Sequence, residues 1–255
     1  CLLSRGLGDV YKRQNQTLFA TNRSIKIQSS LGKIYGLDPE KALNYGLGLS
    51  KSFYIGNPHQ ITFSADYYIT QFTNQVVVDF EKPREVFFYN LEGESAAKSF
   101  QIELDYYFRD DLNFRAAYKN YDVQMNYKNG FLQKPLLAKN RFFGNLGWES
   151  KTTTAGKQWR YDLTYHYLGA QRLVHNLIDR PGGFSPNYSL WNTQITHVFS
   201  KKFEIYLGGE NIGNYRQQSP IIGADDPFGV DFDAAQVYAP IFGGMIYTGL
   251  RLKIQ

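Results

Sequence analysis

The residues best suited to acid-base or metal chemistry in this chain are its four histidines, His59, His166, His175 and His197. The surrounding sequence predicts, in that order, a turn, a polar strand face, a long loop and a strand rim. They are not expected to converge, and neither a Gly-x-Ser-x-Gly nucleophile motif nor a phosphate-binding loop occurs. The sequence therefore predicts no catalytic site, no metal site and no cofactor. A barrel esterase or protease stays open only if its active residues lie upstream of this chain.

An acidic segment near the C-terminus offers hard oxygen ligands of the kind that calcium prefers. Its members are Asp225, Asp226, Asp231 and Asp233. Their spacing is not that of an EF-hand, and Pro227 and Gly229 lie among them. The segment is therefore interpreted as a solvated, turn-forming loop rather than a calcium site.

Two long polar segments, about 170–187 and 214–243, carry rings and charges suited to holding a small molecule or an oligosaccharide. Rings can stack on a flat ligand and charges can orient it. The candidates are Arg172, His175, Tyr215, Arg216 and Tyr238. The alternative is ordinary loop packing, and the 170–187 segment is the better candidate for selectivity.

The elements that position these segments are β-strands, because from about residue 41 the sequence alternates with a period of two. Nine segments show it, and the clearest sets Trp159, Tyr161 and Leu163 against Arg160 and Asp162. The apolar faces hold about forty positions, where composition alone would place roughly eight charged residues, and none is charged. Aromatic residues at strand ends are candidates for interfacial girdles: Tyr45, Phe53, Tyr106, Phe108, Tyr118, Trp148, Trp159, Tyr167 and Trp191.

A soluble β-sandwich would also alternate, so alternation alone does not identify the fold. The segments run to about ten residues, the length that a tilted strand needs to cross a bilayer. Short links (54–59, 109–111, 151–157, 200–202) also alternate with long ones (81–95, 122–138, 170–187, 214–243). Outer-membrane barrels show this asymmetry, with short periplasmic turns and long outer loops. The prediction is an all-β, transmembrane, antiparallel barrel, present here as an open curved sheet.

Composition agrees with that fold class. Tyr and Phe are abundant, at 20 and 19 residues, while the mean hydropathy is −0.42. No apolar run is long enough for a membrane helix, and Cys1 is the single cysteine, which excludes a disulfide framework. The net charge of +5 is scattered, so no nucleic-acid partner is predicted.

The N-terminal residues 1–14 match neither a signal peptide nor the rest of the chain. Their end, Asp-Val-Tyr-Lys-Arg-Gln at 9–14, resembles translated library-adapter sequence, and the alternative is a disordered basic tail. Residues 15–36 are expected to form an outer loop. Residues 37–255 are then expected to be the C-terminal part of a barrel whose plug domain and N-terminal strands are missing from this fragment.

The closing segment resembles the assembly signal on the last strand of outer-membrane barrels, carried by Gly249, Leu252 and Ile254, although Gln255 replaces the usual terminal aromatic residue. More widely, 37–254 resembles a Bacteroidetes-type TonB-dependent receptor. The segments that carry the resemblance are LDPEKALNYGLG (37–48), SADYYITQFTNQVVVD (64–79), YLGGENIGNYRQQSPIIGADDPFG (206–229), FDAAQVYAP (232–240) and IYTGLRLKI (246–254).

The resemblance implies about nine C-terminal strands of a barrel of about 22, with a plugged lumen. It implies energy-coupled import, across the bacterial outer membrane, of a scarce nutrient such as an iron chelate, a vitamin or a metal complex. The implied partners are outer-membrane lipid, the periplasmic TonB protein acting through the missing N-terminal part, and the barrel-assembly machinery. Ionisable groups on the inner face would be hydrated, paired with one another or in contact with the plug. A passive porin and a soluble sandwich binding module are the alternatives.

Overall fold

The computed structural model describes residues 24–28, 36–56, 59–82, 85–174, 183–229, 231–234 and 236–253. Residues 1–14, for which an adapter origin is predicted, lie outside these ranges. Across the described ranges, no helix has the length and apolar character required to cross a membrane.

The described chain is built of strands whose bounds follow the alternation in the sequence. In chain order they are β1 (Ser24–Ile27), β2 (Lys41–Tyr54), β3 (Gln60–Asn74), β4 (Val76–Asp79), β5 (Glu85–Asn90), β6 (Ser95–Arg109), β7 (Leu112–Tyr127), β8 (Gly130–Gln133), β9 (Asn140–Glu149), β10 (Gln158–Leu168), β11 (Tyr188–Ser200), β12 (Phe203–Glu210) and β13 (Met245–Leu252).

The nine longest of these strands form one antiparallel sheet in the order β2-β3-β6-β7-β9-β10-β11-β12-β13, with β8 attached to β7. Each strand pairs with the next long strand along the chain, so the sheet is a series of hairpins. Strands β2 and β13 occupy opposite edges of the described sheet. The prediction of nine consecutively paired strands in an open sheet is confirmed.

The pairing register brings the apolar faces of neighbouring strands together. Leu163 of β10, for example, lies opposite Leu146 of β9 and Thr193 of β11. Because side chains alternate across a strand, a register set by one such pair places every other residue of the strand on the same face. The predicted division into an apolar and a polar face is therefore confirmed across the sheet.

Strands β12 and β13 have eight residues each, and β12 has the bounds that the alternation predicts. Strand β12 ends at Glu210 because Asn211 adopts a left-handed backbone with a φ of 49°. Asparagine tolerates that conformation better than most residues. Gly243 and Gly244 directly precede Met245, the first residue of β13.

The connections opposite the short turns carry structure that the alternation did not reveal. A second sheet has the order β1-β5-β4. Strand β5 lies within the segment 81–95 that was predicted to be a long link, and β4 precedes that segment. Strand β1, which lies within the expected outer loop 15–36, runs parallel to β5. A hydrophobic cluster joins this sheet to the main one through Val77, Tyr89, Ala97, Val123, Met125 and Tyr127. We call the strands β1, β4 and β5, together with the long connections 122–138, 170–187 and 214–243, the outer layer.

Two glycines on β12 and β13 receive tyrosine rings from the opposite strand. Gly208 lies opposite Tyr247, and Gly249 lies opposite Tyr206. A Cβ atom added to Gly208 would come within 2.2 Å of the Tyr247 ring, whose hydroxyl donates a hydrogen bond to Gln194 at 3.1 Å. Each ring thus fills the space that a glycine leaves open, an arrangement that stabilises strand pairs.

We expect Gly208→Ala to destabilise the sheet by about 1–3 kcal/mol, because the new methyl group must displace the Tyr247 ring. Gly144→Ala is the matched control, since its nearest contact would be an ordinary 3.5 Å. Denaturant unfolding in lipid measures both. Equal stability of the two variants would show that the Tyr247 ring moves aside without cost.

Candidate ligand site in the outer loops

A buried ion pair ties three connections of the outer layer together. The Arg172 guanidinium lies 2.5 Å from the Glu81 carboxylate, and the two residues are only 4% and 3% exposed. The Arg172 side chain also donates to the backbone oxygen of Gln133 and lies over the Tyr127 ring, 5.3 Å from its centroid. Arg172 was predicted to contact a ligand, but its charge is directed into the outer layer. These contacts hold Arg172 in the outer layer, and its role as a ligand contact stays a prediction.

Close to this pair, Asp79 accepts a hydrogen bond from the Tyr89 hydroxyl at 3.0 Å. Burial first, and then the negative charge of Asp79, raise the pKa of Tyr89 above its ordinary value. The phenol therefore remains a hydrogen-bond donor at neutral pH. The base of the outer layer is thus held by paired polar groups as well as by the hydrophobic cluster.

Three buried glutamines join the connection after β10 to the connection after β12. The Gln217 side chain accepts from the backbone amides of Tyr238 and Ala239 at 2.8 and 3.1 Å. Its amide donates to the backbone oxygen of Gln236 at 2.9 Å, and Gln171 donates to that of Tyr238 at 3.0 Å. Sequence reasoning missed these glutamines as functional positions. Their one signal was a polar amide flanked by apolar residues, as in Ala-Ala-Gln-Val-Tyr.

This framework holds a group of three tyrosines, Tyr188, Tyr215 and Tyr238. The Tyr215 ring stacks on Tyr188, with centroids 5.0 Å apart and planes 10° from parallel. Tyr188 donates through its hydroxyl to the backbone oxygen of Tyr238 at 3.0 Å. Arg216 follows Tyr215 and is exposed. The structure therefore brings two of the predicted ligand residues, Tyr215 and Tyr238, together, and Arg216 adjoins them in the chain.

A tight turn at the end of β12 fixes the position of Tyr215. The Asn211 side chain accepts from the Tyr215 amide at 3.0 Å and donates to its carbonyl oxygen at 2.7 Å. Asn214 also has a left-handed φ, 52°, and its side chain accepts from the Gly244 amide at 3.0 Å. The two asparagines satisfy backbone groups that a loop would otherwise leave without partners. The aromatic group is therefore held on a rigid base.

The remaining sequence candidates do not join this group in the described part of the chain. His175, predicted as a ligand residue, lies outside the described residues. In the acidic segment, Asp226 accepts from the Phe228 amide at 3.3 Å, as the turn interpretation predicts, and Asp233 is buried. His59, His166 and His197 lie against different aromatic rings, those of Phe108, Phe143 and Trp159. Among the described residues, no three His, Cys, Asp or Glu side chains converge.

The inner, polar face of the sheet holds a second group of charges near the short turns. The Glu204 carboxylate lies between the guanidinium groups of Arg251 and Arg160, and the Arg160 group is 3.7 Å away. The Arg160 guanidinium also lies 3.8 Å from the Glu149 carboxylate. They line a concavity of about 390 Å³ on the polar face. Opposite charges are paired within it, so the group is a hydrated part of the inner wall rather than a site with an excess of one charge.

The closing strand places Gly249 and Leu252 on opposite faces of β13. Gly249 lies on the polar face under the Tyr206 ring, and Leu252 pairs with Phe203 on the apolar face. Ile254, the third residue of the predicted assembly signal, lies outside the described residues. The assembly role of these residues stays a prediction.

A family model described as "TonB dependent receptor-like, beta-barrel" matches residues 6–212. No curated protein sequence matches the chain. Three solved structures illustrate the fold that it shares. The ferric-catecholate import receptor Fiu from Escherichia coli K12 is 12% identical, with a TM-score of 0.57 over 88% of this chain and 30% of that one.

The copper transporter OprC is 11% identical, with a TM-score of 0.61 over 89% of this chain and 33% of that one. A mutant of the ferric enterobactin receptor PfeA from Pseudomonas aeruginosa is 17% identical, with a TM-score of 0.57 over 85% of this chain and 31% of that one. The chain therefore spans about a third of the length of each of these structures. At these identities the likeness concerns the fold.

Proposed function

The chain belongs to the family of TonB-dependent receptor-like β-barrels, and from this membership we propose that it forms part of a receptor that imports a scarce nutrient. The observation that carries the proposal is the family match across residues 6–212, together with a sheet that has one apolar face. The protein is placed in the bacterial outer membrane, where β-strands cross lipid only if their backbone groups are paired. The apolar face meets lipid and the polar face meets the lumen.

In this proposal the long connections lie outside the cell and the short turns lie in the periplasm. Import is driven by the periplasmic TonB protein, which acts on a plug domain that the rest of the receptor supplies. The barrel-assembly machinery inserts the protein and recognises Gly249, Leu252 and Ile254. The narrower assignment to the Bacteroidetes type rests on the resemblance of 37–254. The match to a β-barrel family favours the barrel over a soluble sandwich.

The cargo proposed is a small chelate or cofactor, such as an iron chelate, a vitamin or a metal complex. Such molecules present flat or conjugated surfaces and often carry negative charge, which suits stacked tyrosines and an exposed arginine in the same connection. Tyr215, Arg216 and Tyr238 are the proposed contacts, and His175 is retained as a candidate. Arg172 is also retained as a candidate, although its charge is buried against Glu81.

The proposal is tested by uptake into cells that express the complete receptor as their one importer of its class. A panel of a ferric catecholate, a ferric hydroxamate and haem is presented at nanomolar concentration. Saturable uptake that stops when the membrane potential is collapsed supports energy-coupled import. Uptake that rises in proportion to the chelate concentration and does not depend on the membrane potential would identify a passive porin instead.

We expect Arg216→Ala to weaken binding of the imported chelate roughly ten- to hundredfold, since a charge-assisted hydrogen bond contributes roughly 1.5–3 kcal/mol. Arg109→Ala is the matched control, because Arg109 is an exposed arginine in a short turn at the other end of the sheet. Binding is measured by fluorescence quenching in detergent. An unchanged dissociation constant in Arg216→Ala would remove Arg216 from the site.

A further inference from the structure

Four lysines lie side by side at the short-turn end of strands β10 to β13. Lys157 directly precedes β10, Lys201 and Lys202 form the turn between β11 and β12, and Lys253 directly follows β13. The Lys253 amide donates to the backbone oxygen of Lys202 at 2.8 Å, which fixes two of them next to each other. At the usual strand spacing the four occupy about 15 Å of the sheet end. We call them the lysine rim.

The charges of the lysine rim are not neutralised by the described residues around it. None of the four lysines forms an ion pair with a described residue. The acids nearest to them along the strands, Glu149 and Glu204, face the lumen and are paired with Arg160 and Arg251. The arginines thus neutralise the inner wall, while the lysines leave a positive potential at the strand ends.

A row of aromatic rings lies directly beside the lysine rim on the lipid-facing side. Trp159 and Phe199 both contact His197, with ring centroids 4.2 Å away in each case, and Phe199 lies 5.4 Å from Phe203. Trp159 is 46% exposed and Phe199 is 39% exposed. Exposed rings at the end of a membrane strand lie where hydrocarbon gives way to head groups. The lysine rim is therefore at the level of lipid phosphates.

We propose that the lysine rim binds the head groups of anionic phospholipids in the leaflet on the short-turn side. The ammonium groups attract the phosphate, and the adjacent rings pack against the upper part of the acyl chains. The inference rests on the membrane placement in the proposed function, and it adds the class of lipid that this part of the barrel prefers. Import itself does not require it.

The test is native mass spectrometry of the complete receptor in detergent, titrated separately with phosphatidylglycerol and phosphatidylcholine. The variant Lys201→Gln/Lys202→Gln should lose affinity for phosphatidylglycerol by roughly fivefold per lysine and keep its weak affinity for phosphatidylcholine. Lys41→Gln/Lys82→Gln is the matched control, because it removes the same charge from exposed positions at the opposite end. This control should bind phosphatidylglycerol as the unmodified receptor does.

Equal phosphatidylglycerol affinity in the rim variant and the unmodified receptor would overturn the proposal. An equal loss in both variants would overturn it too, since net charge alone would then explain the preference. If polyglutamate bound to the lysine rim and phosphatidylglycerol did not, the partner of the rim would be an acidic protein instead of a lipid. Energy-coupled uptake, measured in the same variants, should be unchanged, so a failure of import is distinguishable from a failure of lipid binding.

Discussion

Replacing Arg172 by methionine should destabilise the outer layer by about 3–5 kcal/mol, the usual result of leaving one charge of a buried pair without its partner. Arg172 and Glu81 are both almost fully buried, and Glu81 closely follows β4 of the small outer sheet. Without the guanidinium, the carboxylate must take up a proton or open the layer to water. The strands of the main sheet should be unaffected, because their pairing does not depend on this contact.

Backbone hydrogen exchange in the complete receptor measures this effect. In Arg172→Met, exchange should accelerate in 76–90 and 130–137 and stay slow in β10 and β11. Arg216→Met is the matched control, since it removes an exposed arginine from a neighbouring connection. The double variant Glu81→Gln/Arg172→Met should recover part of the lost protection, because no unpaired charge remains. Unchanged exchange in Arg172→Met would show that the ion pair does not hold the layer together.

The strands and their faces were predictable because a membrane strand is specified by its own sequence. Each residue of β10 faces either lipid or the lumen, so the period of two appears directly in Trp159, Tyr161 and Leu163. The hairpin order then follows from the alternation of short and long links. The short turns, such as the one where β6 ends at Arg109 and β7 begins at Leu112, were located to within one or two residues.

The outer layer was not predictable in the same way, because its order comes from contacts between distant parts of the chain. Strand β4 has only four residues, too few to show a period, and β5 pairs with β1 from some sixty residues upstream. The role of Arg172 depends on Glu81, which is 91 positions away. A sequence identifies such a residue as polar and in a loop, which suits a ligand contact as well as a buried ion pair.

The same difference between local sequence patterns and contacts between distant residues applies to the candidate site. Tyr215, Arg216 and Tyr238 were proposed from residue type and loop position, and in the structure Tyr215 and Tyr238 lie together while a ligand role for all three stays a prediction. The glutamines that hold this group, Gln171 and Gln217, were not singled out. A buried amide that satisfies backbone groups has no signature in a single sequence, because its partners are set by the fold.

The register of the sheet makes a second strong prediction, at the middle of β10. Leu163 lies on the apolar face between Leu146 and Thr193, five residues from either end of an 11-residue strand. An arginine there would be held near the centre of the bilayer, too far from either surface for its charge to reach water easily. Leu163→Arg should therefore destabilise the folded receptor in lipid by about 2–4 kcal/mol.

The neighbouring residue provides the control, because it differs only in the face that it occupies. Thr164 faces the lumen, where its hydroxyl donates to Asp162 at 3.2 Å and accepts from Asn145 at 3.0 Å. An arginine at this position remains hydrated and gains Asp162 as a counterion, so Thr164→Arg should cost less than about 1 kcal/mol. Denaturant unfolding in lipid vesicles compares the two variants at the same strand depth. Equal costs would mean that the assigned lipid and lumen faces are wrong, because only the direction of the side chain separates the two substitutions.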